Sequence, residues 1–185
     1  MAVHGSDSVH MKYNIQNDSL EILWGESKLY QQLSTAFDKA INSISEFTTS
    51  QDGRIPKERD IDIIKDHPNI TDPRMKEALC EYFDPYTQRS NRWKEIYCCL
   101  IGFDFELYKN IRDLPEDQIV EYFKAKYIER ASSAHKLFAK KIAGSQVCEL
   151  TYNLILLPFE SLKNFRKEFF TLLNCLELYK PDDDE

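Results

Sequence analysis

Between Ser8 and Ile15 the chain alternates strictly, Val9, Met11, Tyr13 and Ile15 being separated by His10, Lys12 and Asn14. A two-residue period puts the apolar set on one face of a strand and the polar set on the other, so this stretch has to lie half-buried in a sheet. Asn17-Asp18 accepts the positive φ of a tight turn, and Leu20 to Lys28 then returns rich in aromatics and other strand formers. Read as a two-residue hairpin, the pairing sets Ile15 against Leu20, Tyr13 against Ile22, Met11 against Trp24, Val9 against Glu26 and Asp7 against Lys28. That face is apolar until its end, where two acids and an amine collect. The other face is largely polar: Ser8 with Ser27, His10 with Gly25, Lys12 with Leu23, Asn14 with Glu21. A slip of one residue would destroy this segregation.

Past Leu33 the period lengthens. Leu33, Ala36, Phe37, Ala40, Ile41, Ile44 and Phe47 form the stripe of an amphipathic helix that should end near Thr49. Residues 51–69 are polar and broken by Gly53, Pro56 and Pro68, which predicts a surface loop with one helical turn around Ile61 to Ile64. Asp72-Pro73 opens a helix carrying Met75, Ala78, Leu79 and Tyr82, and Asp84-Pro85 closes it. Trp93 to Phe103 contains an unbroken apolar run, the pattern of a central strand covered on both sides. Asp113 is the expected cap of a long helix beginning at Leu114-Pro115, with Ile119, Phe123, Tyr127, Ala131, Ala134, Phe138 and Ile142 inward and Gly144 at its end. Leu150 to Phe159 reads as another buried strand. Ser161 should cap a last helix with Leu162, Phe165, Phe169, Leu172 and Leu176 on its apolar face, before an acidic tail from Pro181 to Glu185. The order predicts an α/β protein with a mixed β-sheet flanked by α-helices.

Composition narrows the class further. At 185 residues, 42% hydrophobic and 12% aromatic, the chain can bury one sizeable core, and no linker divides it, so 1–185 is expected to be a single domain. A net charge of -7 repels nucleic acid at long range, so any contact with DNA needs a local basic surface, a bound cation or a partner. Cys80, Cys98, Cys99, Cys148 and Cys175 have no zinc spacing and are odd in number; free thiols, most of them among apolar neighbours, suit a reducing cytoplasm. With no signal peptide and no apolar run long enough to span a bilayer, a soluble cytoplasmic protein without a membrane partner is expected.

The chemistry gathers where the hairpin ends. Asp7 and Glu26 present hard oxygen ligands of the kind that Mg²⁺ takes, with Mn²⁺ as a substitute, and the carbonyl of Ser27 is a further candidate ligand. Such a cation polarises a phosphate and acidifies a bound water, while Lys28 orients that water or stabilises developing charge. Glu-x-Lys on a strand is often no more than a solvated ladder. Here it occurs once in the chain and ends a strongly apolar strand, where charge is out of place.

Gly5-Ser6-Asp7 before one strand, Glu26-Ser27-Lys28 ending the next, and a helix thereafter resemble the core of PD-(D/E)xK nucleases, which implies a restriction-endonuclease-like sheet. More narrowly, the run from Leu20 to Tyr30, with Leu154 to Phe159 and Phe165-Arg166 downstream, resembles the effector nuclease of the Hachiman anti-phage defence system; nuclease domains of cyclic-oligonucleotide defence systems are close alternatives. The resemblance spans nearly the whole chain. It implies a DNA endonuclease working with a helicase-like protein partner, with Asp7 and Glu26 as metal ligands and Lys28 as the catalytic lysine. Members of that family carry a further amino-terminal region with an early strand and helix, and the chain begins just before Asp7. A truncated nuclease fold that has no activity and binds a partner is therefore the rival expectation, an open sheet edge being a place for pairing.

Other polar clusters have two readings each. Lys124, Lys126, Arg130, Lys136, Lys140 and Lys141 on the long helix, and Lys163, Arg166 and Lys167 on the last, line a phosphate channel or form a solvated surface among neighbouring acids, the second being the commoner case. His4 and His10 lie near Asp7 in sequence, but His10 falls on the face away from it.

Overall fold

The computed structural model describes residues 6–49, 55–58, 60–61, 70–84 and 93–176. Four strands form one sheet in the order β1 (Ser8–Asn14), β2 (Ser19–Leu29), β3 (Trp93–Asp104), β4 (Tyr152–Phe159). The first pair is antiparallel and the other two are parallel, so the sheet is mixed. Helices α1 (Leu33–Thr48), α2 (Pro73–Phe83), α3 (Leu107–Asn110), α4 (Glu116–Ala143) and α5 (Leu162–Cys175) flank it. This is the α/β class expected, with β3 inside the sheet as its apolar run requires.

The hairpin register differs from the expected one by two residues. Tyr13 pairs with Leu20, Met11 with Ile22, Val9 with Trp24, His10 with Leu23 and Ser8 with Gly25. Asn14 causes the difference: its side-chain oxygen accepts from the backbone N–H groups of Gln16 and Asn17 at 3.0 and 3.3 Å, building a local turn that the chain continues through Asp18 at φ 47°. Ile15 to Asp18 therefore form a four-residue connection, and Ile15 is left exposed rather than paired. A shift of two leaves every side chain on its expected face, so the separation of apolar and polar faces survives.

One face of the sheet holds the core. Leu20, Ile22 and Trp24 of β2 and Tyr97, Cys99, Ile101 and Phe103 of β3 are buried there against α1, whose inward residues are the seven of the expected stripe. Trp24 meets Phe47 with ring centroids 5.2 Å apart, and Phe37 meets Phe138 of α4 at 5.0 Å. Asp72 caps α2 by accepting from the N–H groups of Arg74 and Met75, and Ser161 caps α5 by accepting from Asn164.

Four further expectations need correction. Asp113 does not cap α4; Pro115 stands at that position without a side-chain bond, because the short α3 and its following turn occupy the preceding residues. β4 is an edge strand rather than a doubly covered one, and Ile155 and Leu157 on its far face are exposed. Of the apolar face of α5 only Leu162 is buried, while Phe165, Phe169, Leu172 and Leu176 remain exposed. The cysteines are free, but Cys80, Cys148 and Cys175 are exposed, not set among apolar groups. The helical turn expected at Ile61 to Ile64 lies, beyond Ile61, outside the described residues. No helix among the described residues is long and apolar enough to cross a membrane.

Candidate active site at the end of the second strand

Among the described residues Glu26 is the buried charged one, 6% exposed. Its position follows from the alternation of β2: Leu20, Ile22, Trp24 and Glu26 share the inward face, and Lys28 follows two residues on. In the parallel register Glu26 lies beside Cys99 and Lys28 beside Ile101, so small and apolar neighbours seal the inner side of the pair. The Lys28 ammonium forms an ion pair with Glu26 Oε1, an atom closed to solvent that lacks a well-aligned hydrogen bond. Ser43 of α1 donates a further hydrogen bond to the Glu26 carboxylate. Burial pushes the carboxyl above its ordinary value of 4.5; Lys28 and Ser43 oppose this, and the Asp7 charge adds to it. The same burial pushes the Cys99 thiol up to about 12, leaving it a packing group rather than a nucleophile.

Asp7 stands just beyond the first strand. Its backbone N–H donates to the Gly25 carbonyl, which breaks the regular ladder, and its exposed carboxylate turns to Ser27. Oδ2 accepts from the Ser27 N–H at 2.6 Å and from the Ser27 hydroxyl at 2.5 Å. The expected pairings of Val9 with Glu26 and of Asp7 with Lys28 are thus replaced. Asp7 engages the residue between Glu26 and Lys28, and its charge is close enough to Glu26 to raise the carboxyl. At this end of the sheet Lys28 is paired with Glu26, and Asp7 is held on Ser27 between them. No group of three or more His, Cys, Asp and Glu side chains placed to hold a metal ion occurs among the described residues.

His10 is exposed opposite Leu23 and faces away from this cluster, as its place in the alternation implies; His4 lies outside the described residues. Three contributors were not legible in the sequence. Ser43 reaches Glu26 from α1, Asp60 accepts from the N–H and hydroxyl of Ser6 at 3.0 and 3.3 Å, and Arg166 of α5 donates to the carbonyl of Leu29. Each contact joins segments far apart in the chain, and none has a local pattern to announce it.

The helix-flanked mixed sheet is the α/β architecture expected; its second strand ends in the Glu26–Lys28 ion pair, with Asp7 held on the residue between them. The chain belongs to the HamA family, whose family model matches residues 1–173 of the 185. That membership agrees with the expectation of a Hachiman-type anti-phage defence effector. Comparison with curated proteins and with solved structures finds no match in either.

Proposed function

We propose that the chain is a metal-dependent DNA endonuclease, the effector of an anti-phage defence system that works with a helicase-like partner. The observation carrying this reading is the buried Glu26 carboxylate paired with Lys28 at the end of β2, within electrostatic reach of Asp7. Burying a carboxylate is costly, and perturbed carboxylates concentrate at functional sites. The donor set fits a hard divalent cation: Asp7 and Glu26 offer carboxylate oxygens and Ser27 a backbone carbonyl. Mg²⁺ held there, or Mn²⁺ in its place, would supply Lewis acidity toward a phosphodiester and a more acidic bound water.

The chain's own residues have separable tasks. Glu26 supplies negative charge in a sealed setting, where its attraction for a cation is strengthened by the low surrounding dielectric. Lys28 and Ser43 oppose the rise that burial imposes on that carboxyl. The Lys28 side chain is 23% exposed, so its ammonium lies between the buried acid and solvent, placed to meet the charge that develops on a phosphate oxygen. Asp7 fixes the backbone of Ser27 and keeps Oδ1 for a ligand.

A plasmid-nicking assay with Mg²⁺ tests the reading: cleavage by the wild type should fall at least about 100-fold in Glu26→Gln and Lys28→Ala. Undiminished cleavage by both variants would remove these residues from the mechanism.

The second reading is a non-catalytic nuclease-fold module that binds a partner, and the position of β1 at an edge of the sheet favours it. Calorimetric titration with Mn²⁺ separates the two. Binding lost in Asp7→Asn supports the enzyme; a folded chain that takes up no Mn²⁺ supports the module.

A further inference from the structure

We infer that α5 is the nucleic-acid-binding element of this protein, with Lys163, Arg166 and Lys167 holding the phosphodiester backbone beside the Glu26–Lys28 site. The inference rests on the nuclease reading and names the surface through which its substrate is held. Positions i, i+3 and i+4 of a helix share one face, so the three cations form a single stripe. All three are exposed.

The position of that stripe is set by contacts at the head of the helix. Leu162, fully buried, donates its N–H to Asp104 at the end of β3 at 2.6 Å, and Phe165 packs on Phe159 at the end of β4 with centroids 4.8 Å apart. One turn later Arg166 donates to the carbonyl of Leu29, the residue directly after Lys28. Because β2, β3 and β4 are parallel, their carboxyl ends lie on one side of the sheet, and the first turns of α5 cross that side toward the candidate site. The guanidinium of Arg166 has five N–H donors and spends few of them on a single carbonyl.

Part of the remaining basic surface is already paired with acids. Lys124 and Lys126 on α4 pair with Glu121 and Glu129, Lys141 pairs with Asp38, Arg112 with Glu160, and Lys57 with Glu95. Those cations are neutralised locally; Lys136 and Lys140 of α4 have no acid within ion-pair range among the described residues, and what sets α5 apart from them is the Arg166 contact beside the candidate site. Among the described residues Lys163, Arg166 and Lys167 have no acid within ion-pair range. In a chain of net charge -7, three unneutralised cations on one face repel each other, and a polyanion laid along them relieves the repulsion.

The test is binding of fluorescent single-stranded and duplex DNA by the full chain without divalent cation, followed by anisotropy across a salt series. Lys163→Gln/Lys167→Gln should weaken binding and lower the slope of log K against log salt by about 0.9 per lysine on duplex, or about 0.7 on single strands. Lys163→Arg/Lys167→Arg should keep the wild-type slope, and adding Arg166→Gln to the glutamine pair should weaken binding further. Both lysines are exposed, and among the described residues neither side chain has a hydrogen bond or an ion pair, so the double variant leaves the fold's polar contacts intact. An unchanged slope and affinity in the glutamine double variant overturns the inference. So does an equal loss in Lys124→Gln/Lys126→Gln, or a wild type that binds no DNA. Cleavage is read separately: a wild type that binds through the stripe but cuts nothing overturns the nuclease reading alone, and a nuclease whose binding ignores the stripe overturns this inference alone.

Discussion

Asp7 grips Ser27 at two points, its Oδ2 accepting from the backbone N–H at 2.6 Å and from the hydroxyl at 2.5 Å. Ser27 stands between Glu26 and Lys28, so Asp7 acts on the backbone that carries both. Short bonds to an ionised acceptor are stronger than neutral ones, but the carboxylate is exposed and water competes for it.

Ser27→Ala removes the hydroxyl donor and keeps the N–H, and should cost about 0.5 kcal/mol in urea unfolding. Asp7→Ala removes both bonds and should cost about 1 to 2 kcal/mol. If the aspartate variant is no less stable than the serine variant, the backbone bond does not restrain the strand.

Glu26 should make stability depend on pH. Its folded-state carboxyl is raised above 4.5, so the folded chain binds a proton that the unfolded chain releases first. Stability from this group is therefore greatest below 4.5 and declines as pH rises through the folded value. In Glu26→Gln that decline should vanish from denaturant titrations between pH 4 and 8. Lys28→Met should steepen it, because the buried carboxylate loses its cation; a flat profile in that variant would contradict the ion pair.

Phe37 is fully buried between the sheet and Phe138. Phe37→Ala should cost about 3 to 5 kcal/mol through lost transfer energy and the remaining cavity, measured by chemical unfolding. A loss under 1 kcal/mol would show that α1 and α4 do not close over this part of the sheet.

Gly102 places its α-carbon in a gap that no side chain fits. A Cβ there would lie 2.2 Å from Leu29 Cδ2 and 2.9 Å from Phe159 Cε2. Gly102→Ala should cost about 1 to 3 kcal/mol. By displacing Leu29 it should also weaken the Arg166 contact and, on the proposed nuclease reading, lower DNA cleavage; unaltered stability would mean that Leu29 moves aside freely.

The elements themselves were readable from local pattern. The inward stripe of α1, the Asp72 and Ser161 caps and the alternation along β1 and β2 are each consequences of periodicity or of a side chain serving nearby backbone. Asp113 failed as a cap for a reason outside that pattern: a short helix around the buried Leu107 uses the preceding residues. The exposure of Ile155 and Leu157 was equally hidden, because an apolar run does not reveal whether a layer covers its second face.

What the amino-acid order determined unaided was the facing of side chains, and with it the placement of Glu26 and Lys28 together on the inward side of β2, since strand geometry fixes alternate residues to one face. Three-dimensional packing alone decided the rest of the site. The two-residue shift of the hairpin is invisible to periodicity because it preserves both faces, and the turn that causes it depends on the side-chain bonds of Asn14. Arg166 reaches Leu29 across 137 positions of sequence, a contact set by how helices seat on the sheet rather than by any local signal.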